Sequence, residues 1–257
     1  MADKPLPRVS LVACLSVDYD LAFLPHFLNY YGPLVDTAAL VLHTVAGMQR
    51  EADTAIASIK DCWPDAFIDY WHGVFRDPVK MGFLSDYVTH FARVDPESYL
   101  VYVDIDEQAQ FPSPPKQIAT PGVVYVGVMR DRWASQDRND LPAVASDRPL
   151  EEQFPFMDDF TKQHGACVTR PVLFPARMGN SRALLHHPHI VSYPQNVQKV
   201  VGRRIPLDHY KWTERRKQKF NDRIDHWTHY QESGLAKYET PEVQSLLDSL
   251  DSGDPDH

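Results

Sequence analysis

The feature that most constrains the fold is an alternation of apolar runs and helically spaced apolar residues through the first half of the chain. Residues Val9–Leu15 form a nearly unbroken apolar run, as expected of a strand buried on both faces of a parallel sheet. Leu21, Leu24, Phe27, Leu28 and Tyr31 then recur at helical spacing. Pro25 falls near the first turn, where it is tolerated, and Gly32-Pro33 ends the helix. Thr37–His43 reads as a second strand, Met48–Lys60 as a second helix and Ala66–Tyr70 as a short third strand. Asp77-Pro78 opens a helix from Val79 to Phe91, and Tyr99–Val103 is a fourth strand rich in β-branched and aromatic residues. Strands alternating with helices predict an α/β fold: a mostly parallel, Rossmann-like sheet flanked by helices and joined by right-handed crossovers. No G-x-G-x-x-G follows the first strand and no G-x-x-x-x-G-K-[ST] occurs, which disfavours an ordinary dinucleotide fold and a P-loop.

The fourth strand runs directly into Asp104-Ile105-Asp106-Glu107. The C-terminal end of a strand is where open α/β sheets place their ligands. Two carboxylates two residues apart in an extended segment point the same way, and both are hard oxygen ligands suited to Mg2+ or Mn2+. A cation held there would neutralise a diphosphate. The bland alternative is that these acids cap the next turn and face solvent. The strand before them and the stiff loop of Pro112, Pro114 and Pro115 behind them favour the functional reading.

The second half loses the alternation. Gly122–Met129 reads as a strand, and Asp131–Asp159 as a long, polar, irregular stretch of the kind that often carries function. Short strand candidates fall around Cys167, Val172 and Ile205. Lys211–Gln231 is expected to be a long helix with Phe220, Ile224 and Trp227 on one face, and the acidic, Gly/Pro-broken tail is expected to be flexible. The expected organisation is one domain over 1–236, divided into halves 1–110 and 111–236, followed by the 237–257 tail.

Three further clusters can carry chemistry. In Leu207–Trp212, His209 can complete an oxygen-rich metal site through neutral imidazole, while Lys211 and Arg215, one helical turn apart, can grip phosphate oxygens. The competing reading is a solvated basic helix face with a packed His and Tyr. His186, His187 and His189 crowd one short segment and can bind a transition metal, although a polar loop explains most of them. Among the acids of the irregular half, Asp158 or Asp159 is a candidate general base on an acceptor hydroxyl.

Bulk properties exclude some functions. A net charge of −9 makes non-specific nucleic-acid binding a poor fit, although the basic run Arg215–Lys219 keeps a nucleic-acid base open as an acceptor. Cys14, Cys62 and Cys167 form no zinc spacing and no disulfide framework, which fits a reducing cytoplasm. No segment approaches the ~20 apolar residues of a membrane helix, so an integral span is not expected.

Taken together, the apolar first strand, Leu21-x-x-Leu24-x-x-x-Leu28-x-x-Tyr31, the acid-tipped strand with Pro112, Gln153-Phe-Pro155 and His209-Tyr210 resemble glycosyltransferases of the GT-A fold, near the family 2-like group with an Asp-x-Asp-Glu motif. The resemblance implies a GT-A-like sheet and a nucleotide-sugar donor, usually a UDP-sugar, bound across the sheet's C-terminal edge, with residues 1–110 as the nucleotide-sugar half and 111–236 as the acceptor half. It implies that Asp104 and Asp106 engage the donor ribose and a Mn2+ or Mg2+ ion, that His209 completes the coordination, and that Lys211 lies near the diphosphate. Asp18, Lys80 and Arg215 join Asp104 and Lys211 as candidate donor contacts. Asp18-Tyr19-Asp20 stands where many relatives carry Asn-Glu. Transfer is expected to invert the anomeric centre, onto a glycan, lipid-linked glycan, protein or nucleic-acid base. The rival readings are a metal-dependent nucleotidyltransferase or phosphohydrolase, and a catalytically degenerate binding module.

Overall fold

The computed structural model describes residues 6–44, 47–73, 75–138, 140–159, 169–180, 201–216, 218–219 and 221–222. The chain forms two compact units, one of Met1–Val128 with Thr169–Leu207 and one of Met129–Val168 with Asp208–His257. Residues 169–207 return to the first unit because their strand pairs with the acid-tipped one.

The first half follows the expected alternation closely. Strand β1 spans Val9–Ser16, β2 Thr37–Thr44, β3 Phe67–His72 and β4 Tyr99–Tyr102. β1 pairs in parallel with β2 on one side and β4 on the other, and β2 pairs in parallel with β3. Helix α3 spans Gln49–Cys62 and α4 spans Asp77–Val94. The expected helix over 21–31 divides into a 3-10 turn (Leu21–Phe23) and α2 (Leu24–Tyr31), with Pro25 admitted in the first turn of α2, and a short helix α1 (Val17–Asp20) precedes it. Every residue of β1 and β2 is buried, which is what an unbroken apolar run demands of central parallel strands. Successive residues divide between the two faces. Val12, Cys14, Ala39, Val41, Leu100 and Tyr102 pack with Met81, Leu84, Val88 and Phe91 of α4. The fold class is thus the expected α/β, with a parallel block flanked by helices.

Beyond β4 the sheet turns antiparallel at β8, β6 and β7. A short strand β5 (Glu107–Ala109) and one turn of helix α5 (Pro115–Ile118) occupy the stretch read as a stiff loop. Strand β6 (Val123–Trp133) runs four residues past the expected end, into the segment read as irregular, which also holds α6 (Leu150–Gln153) and β7 (Phe156–Asp158). Strands β8 (Thr169–Pro175) and β9 (Val201–His209) complete the order β3-β2-β1-β4-β8-β6-β9-β5, with β7 paired to β6. β8 pairs antiparallel with both β4 and β6. The strand candidate around Cys167, the histidines 186–189, most of the expected 211–231 helix and the 237–257 tail lie outside the described residues.

Gly127 shows how tightly this antiparallel part is packed. A Cβ there would lie 2.7 Å from Val172 Cγ1 and 3.0 Å from Leu207 Cβ, so the side chains of β8 and β9 close over the glycine. Gly127→Ala is expected to lower stability by about 1–3 kcal/mol through overpacking. The check is a urea titration: a reduced midpoint at unchanged slope is the expected result, and an unchanged midpoint would show that Val172 and Leu207 yield freely.

Candidate functional site: the acid turn and its buried cations

The acids after β4 do not continue as a strand. They close into a turn in which the Glu107 amide donates to the Asp104 carbonyl at 3.1 Å, while the Glu107 carboxylate accepts the Asp104 amide at 2.8 Å. Asp104 and Asp106 therefore sit on a turn and not on one side of an extended segment. Tyrosines of α2 fix the exit: Tyr31 Oη donates to the Glu107 carbonyl at 3.2 Å and accepts the Ala109 amide at 2.9 Å, and Tyr30 Oη donates to the Ala109 carbonyl at 2.7 Å. Burial pushes the Tyr31 phenol well up, so it acts as a neutral hydroxyl at this corner.

Two buried cations converge on the turn. Lys80, in the first turn of α4, reaches Asp104 Oδ1 at 2.7 Å. Arg170, near the start of β8, donates to Asp104 Oδ2 at 3.0 Å and to Glu107 Oε2 at 2.5 Å. The Arg170 guanidinium also lies 5.1 Å from the centre of the Tyr102 ring. The Arg170 side chain is 1% exposed, whereas that of Asp104 is 24% exposed, so the carboxylate is the part of the network that reaches outward. Burial alone would raise the Asp104 carboxyl, but Arg170 and Lys80 outweigh it and hold the group well below the usual carboxylate range. Burial would likewise lower both cations, and Asp104 reverses that, raising Lys80 and Arg170 above their ordinary values. Burial pushes the Tyr102 phenol up to about 12 despite the nearby cations.

The sequence points to Lys80 and Asp104 but not to Arg170. A signal was available, because a lone arginine opening the run Pro171-Val-Leu-Phe174 needs a carboxylate partner if that strand is buried.

The expected cation set does not fit this arrangement. Both oxygens of Asp104 are engaged by Lys80 and Arg170. Among the described residues no group of three or more His, Cys, Asp or Glu side chains is arranged to hold a metal ion. Asp106 is buried at 6% exposure, and Asp18 lies in α1, just beyond the C-terminal end of β1.

The second unit contains the other named residues. Asp208 receives Arg130 through Nε at 2.9 Å and Nη2 at 2.6 Å, and Arg132 at 3.0 Å, two arginines two residues apart on β6. Asp131, between them, takes the Trp212 Nε1 proton at 2.9 Å, with His209 Nδ1 at 3.4 Å and Lys211 Nζ at 3.8 Å. Trp133 and Trp212 stack at 4.6 Å with planes 5° apart, and Lys211 Nζ sits 4.4 Å over the Trp212 ring. Lys211 thus precedes the helix instead of opening it, and its side chain is buried against Asp131 and Trp212. Arg215 is exposed, near Glu214 and Gln218. Asp158 accepts Trp133 Nε1 and Arg138, both at 2.9 Å, while Asp159 is exposed. Gln153 ties its own loop together, bonding the Ala145 amide and the carbonyls of Ala145 and Arg148.

No family model matches the sequence, and no curated protein matches it. Among solved structures, S. aureus TarS is matched at 8% identity and a TM-score of 0.41, over 95% of this chain and 43% of that chain. This chain thus spans less than half the length of that structure. A 1-349 form of TarS is matched at 9% identity and a TM-score of 0.44, over 96% of this chain and 71% of that one. The galactosyltransferase LgtC, in complex with donor and acceptor sugar analogs, is matched at 8% identity and a TM-score of 0.29, over 91% of this chain and 69% of that one.

The buried network sets a stability test. Arg170→Met would leave Asp104 and Glu107 without their shared partner, and the expected cost is about 3–5 kcal/mol. Because the Asp104 carboxyl is depressed in the folded protein, its contribution is complete above the ordinary value of about 4 and is lost as pH falls through the folded value. Denaturant titrations at neutral and acidic pH should show a large deficit for Arg170→Met that shrinks on acidification. A deficit below about 1 kcal/mol at neutral pH would show that the network is replaceable.

Proposed function

We propose that this chain is a glycosyltransferase with a GT-A-like fold that moves a sugar from a nucleotide sugar, a UDP-sugar in the leading version, to an acceptor hydroxyl. One observation carries the reading: a quarter-exposed carboxylate, Asp104, held ionised between two buried cations just beyond the last strand of a parallel block. Such a group is a fixed, charged acceptor for the hydroxyls of a ribose or sugar. Lys80 beside it supplies positive charge for phosphate oxygens as the diphosphate departs. Preorganisation matters here, because a carboxylate locked in place reorients little when the donor binds.

Asp104 is committed to Lys80 and Arg170, so in this reading the positive charge beside the departing diphosphate comes from Lys80. Asp106 and Asp18 are carried forward as donor contacts, with residues 1–110 as the donor half and 111–236 as the acceptor half. Asp158 and Asp159 are carried forward as candidates for the base that takes the acceptor's proton. Inversion at the anomeric centre belongs to the same proposal. The acceptor is a glycan, a lipid-linked glycan, a protein or a nucleic-acid base. Among the described residues no helix is long and apolar enough to cross a membrane.

The test is a panel of nucleotide sugars incubated with the protein, reading nucleoside diphosphate released and sugar retained on an acceptor. One UDP-sugar should give UDP, with slow hydrolysis where no acceptor is supplied. Asp106→Asn should lower that rate by at least about tenfold, an effect of about 1.4 kcal/mol on the barrier, while the melting temperature stays put. Donor binding without turnover would support the binding-module alternative. Release of diphosphate or inorganic phosphate would support the nucleotidyltransferase or phosphohydrolase.

A further inference from the structure

A second site lies toward the other end of α4. From Lys80 to His90 the helix advances about 15 Å, so its last turns are well removed from the acid turn. There α4 and the start of β3 line an open hollow of about 380 Å³, along which Phe67, Asp69, Asp86 and His90 are exposed. Three of its aromatic walls belong to one cluster: Phe67 and His90 have ring centres 5.0 Å apart, Phe67 and Phe91 6.2 Å, and His90 and Phe91 5.7 Å. Phe67 stands on β3, which heads the strand order, and is 48% exposed, so its ring face is spent only partly on the core. Two carboxylates, Asp69 and Asp86, line the same cavity, and none of the eight lining residues is Lys or Arg.

The polar groups are unequal in kind. The Tyr87 hydroxyl already donates to Asp69 Oδ2 at 2.7 Å, with the Leu40 carbonyl oxygen 3.0 Å away. That leaves carboxylate oxygens as acceptors and the His90 imidazole as the single further donor from a lining side chain. A sugar needs donors and acceptors in similar number. An ammonium group needs acceptors, negative charge and ring faces.

We propose that this cavity binds a small organic cation, a primary or quaternary ammonium on a short apolar body, with the Phe67 and Phe91 rings facing the cation and Asp69 and Asp86 balancing its charge. The volume is at the small end for ligand pockets, which fits a free small molecule better than a protein segment. This inference is independent of the glycosyl-transfer reading.

The probe is choline chloride, titrated into the full chain by calorimetry at physiological ionic strength. The control is 3,3-dimethylbutan-1-ol, which has the same shape without the charge. Choline should bind saturably, and the alcohol should bind at least about tenfold more weakly. Asp86→Asn and Phe67→Ala should each weaken choline by about tenfold or more, the size expected of a cation held by charge and a ring face. Both positions are on the cavity wall, and a melting curve checks that each variant is folded. In the unsubstituted chain, the Phe67 and His90 ring resonances should shift during the titration, a reading that needs no variant. Absence of saturable binding, equal binding of the alcohol, equal binding of free glucose or shifts confined to other residues would each overturn the proposal.

Discussion

One buried guanidinium organises the first unit. Arg170 links Asp104 and Glu107, and through them the turn that ends the parallel block and begins the next part of the sheet. Its burial would be costly without two carboxylates, and theirs without it. Lys80 adds a second cation from the first turn of α4. The turn's geometry follows from this demand for pairing, because Glu107 can serve Arg170 and the Asp104 amide together only if the chain folds back after Asp104.

The second unit uses the same principle with different parts. Asp131 and Asp208 are each about 1% exposed; Asp208 is served by the arginines of β6, and Asp131 by residues at the end of β9 and just after it. The stacked pair Trp133 and Trp212 supplies apolar area, and its indole protons are taken by Asp158 and Asp131. The words His209-Tyr210 and Gln153-Phe-Pro155 therefore have local structural work: Tyr210 packs near Phe154, and Gln153 closes the loop below it.

The parallel block was legible because its signals are local. The all-buried runs of β1 and β2, the helical spacing of α2 and the acid-tipped β4 each state their structure within a few residues. The antiparallel part was less legible. β5 is three residues long, and the extension of β6 through Arg130-Asp-Arg-Trp133 looks polar until its charges are matched by Asp208 and by residues following β9. Pairing across 78 residues, as between Arg130 and Asp208, leaves no periodicity to read. The same holds for the site. Asp104 and Lys80 could be named from their positions, but Arg170 depends on a partner far back in the chain. Lys211, read as a phosphate contact on a helix, is drawn instead to a buried carboxylate. Charged residues in a sequence do not state whether they face water or one another.

The distance between Asp104 and its arginine has a consequence for biosynthesis. The two are separated by 66 residues, so a ribosome that has just released β4 has produced the carboxylate long before the cation. During that interval the first four strands can pair and Lys80 can meet Asp104, yet closing the corner would bury Glu107 without its arginine. Arrival of β8 then supplies both a hydrogen-bonded edge for β4 and the missing charge in one event. Closure of this corner is thereby timed to the emergence of a single late strand.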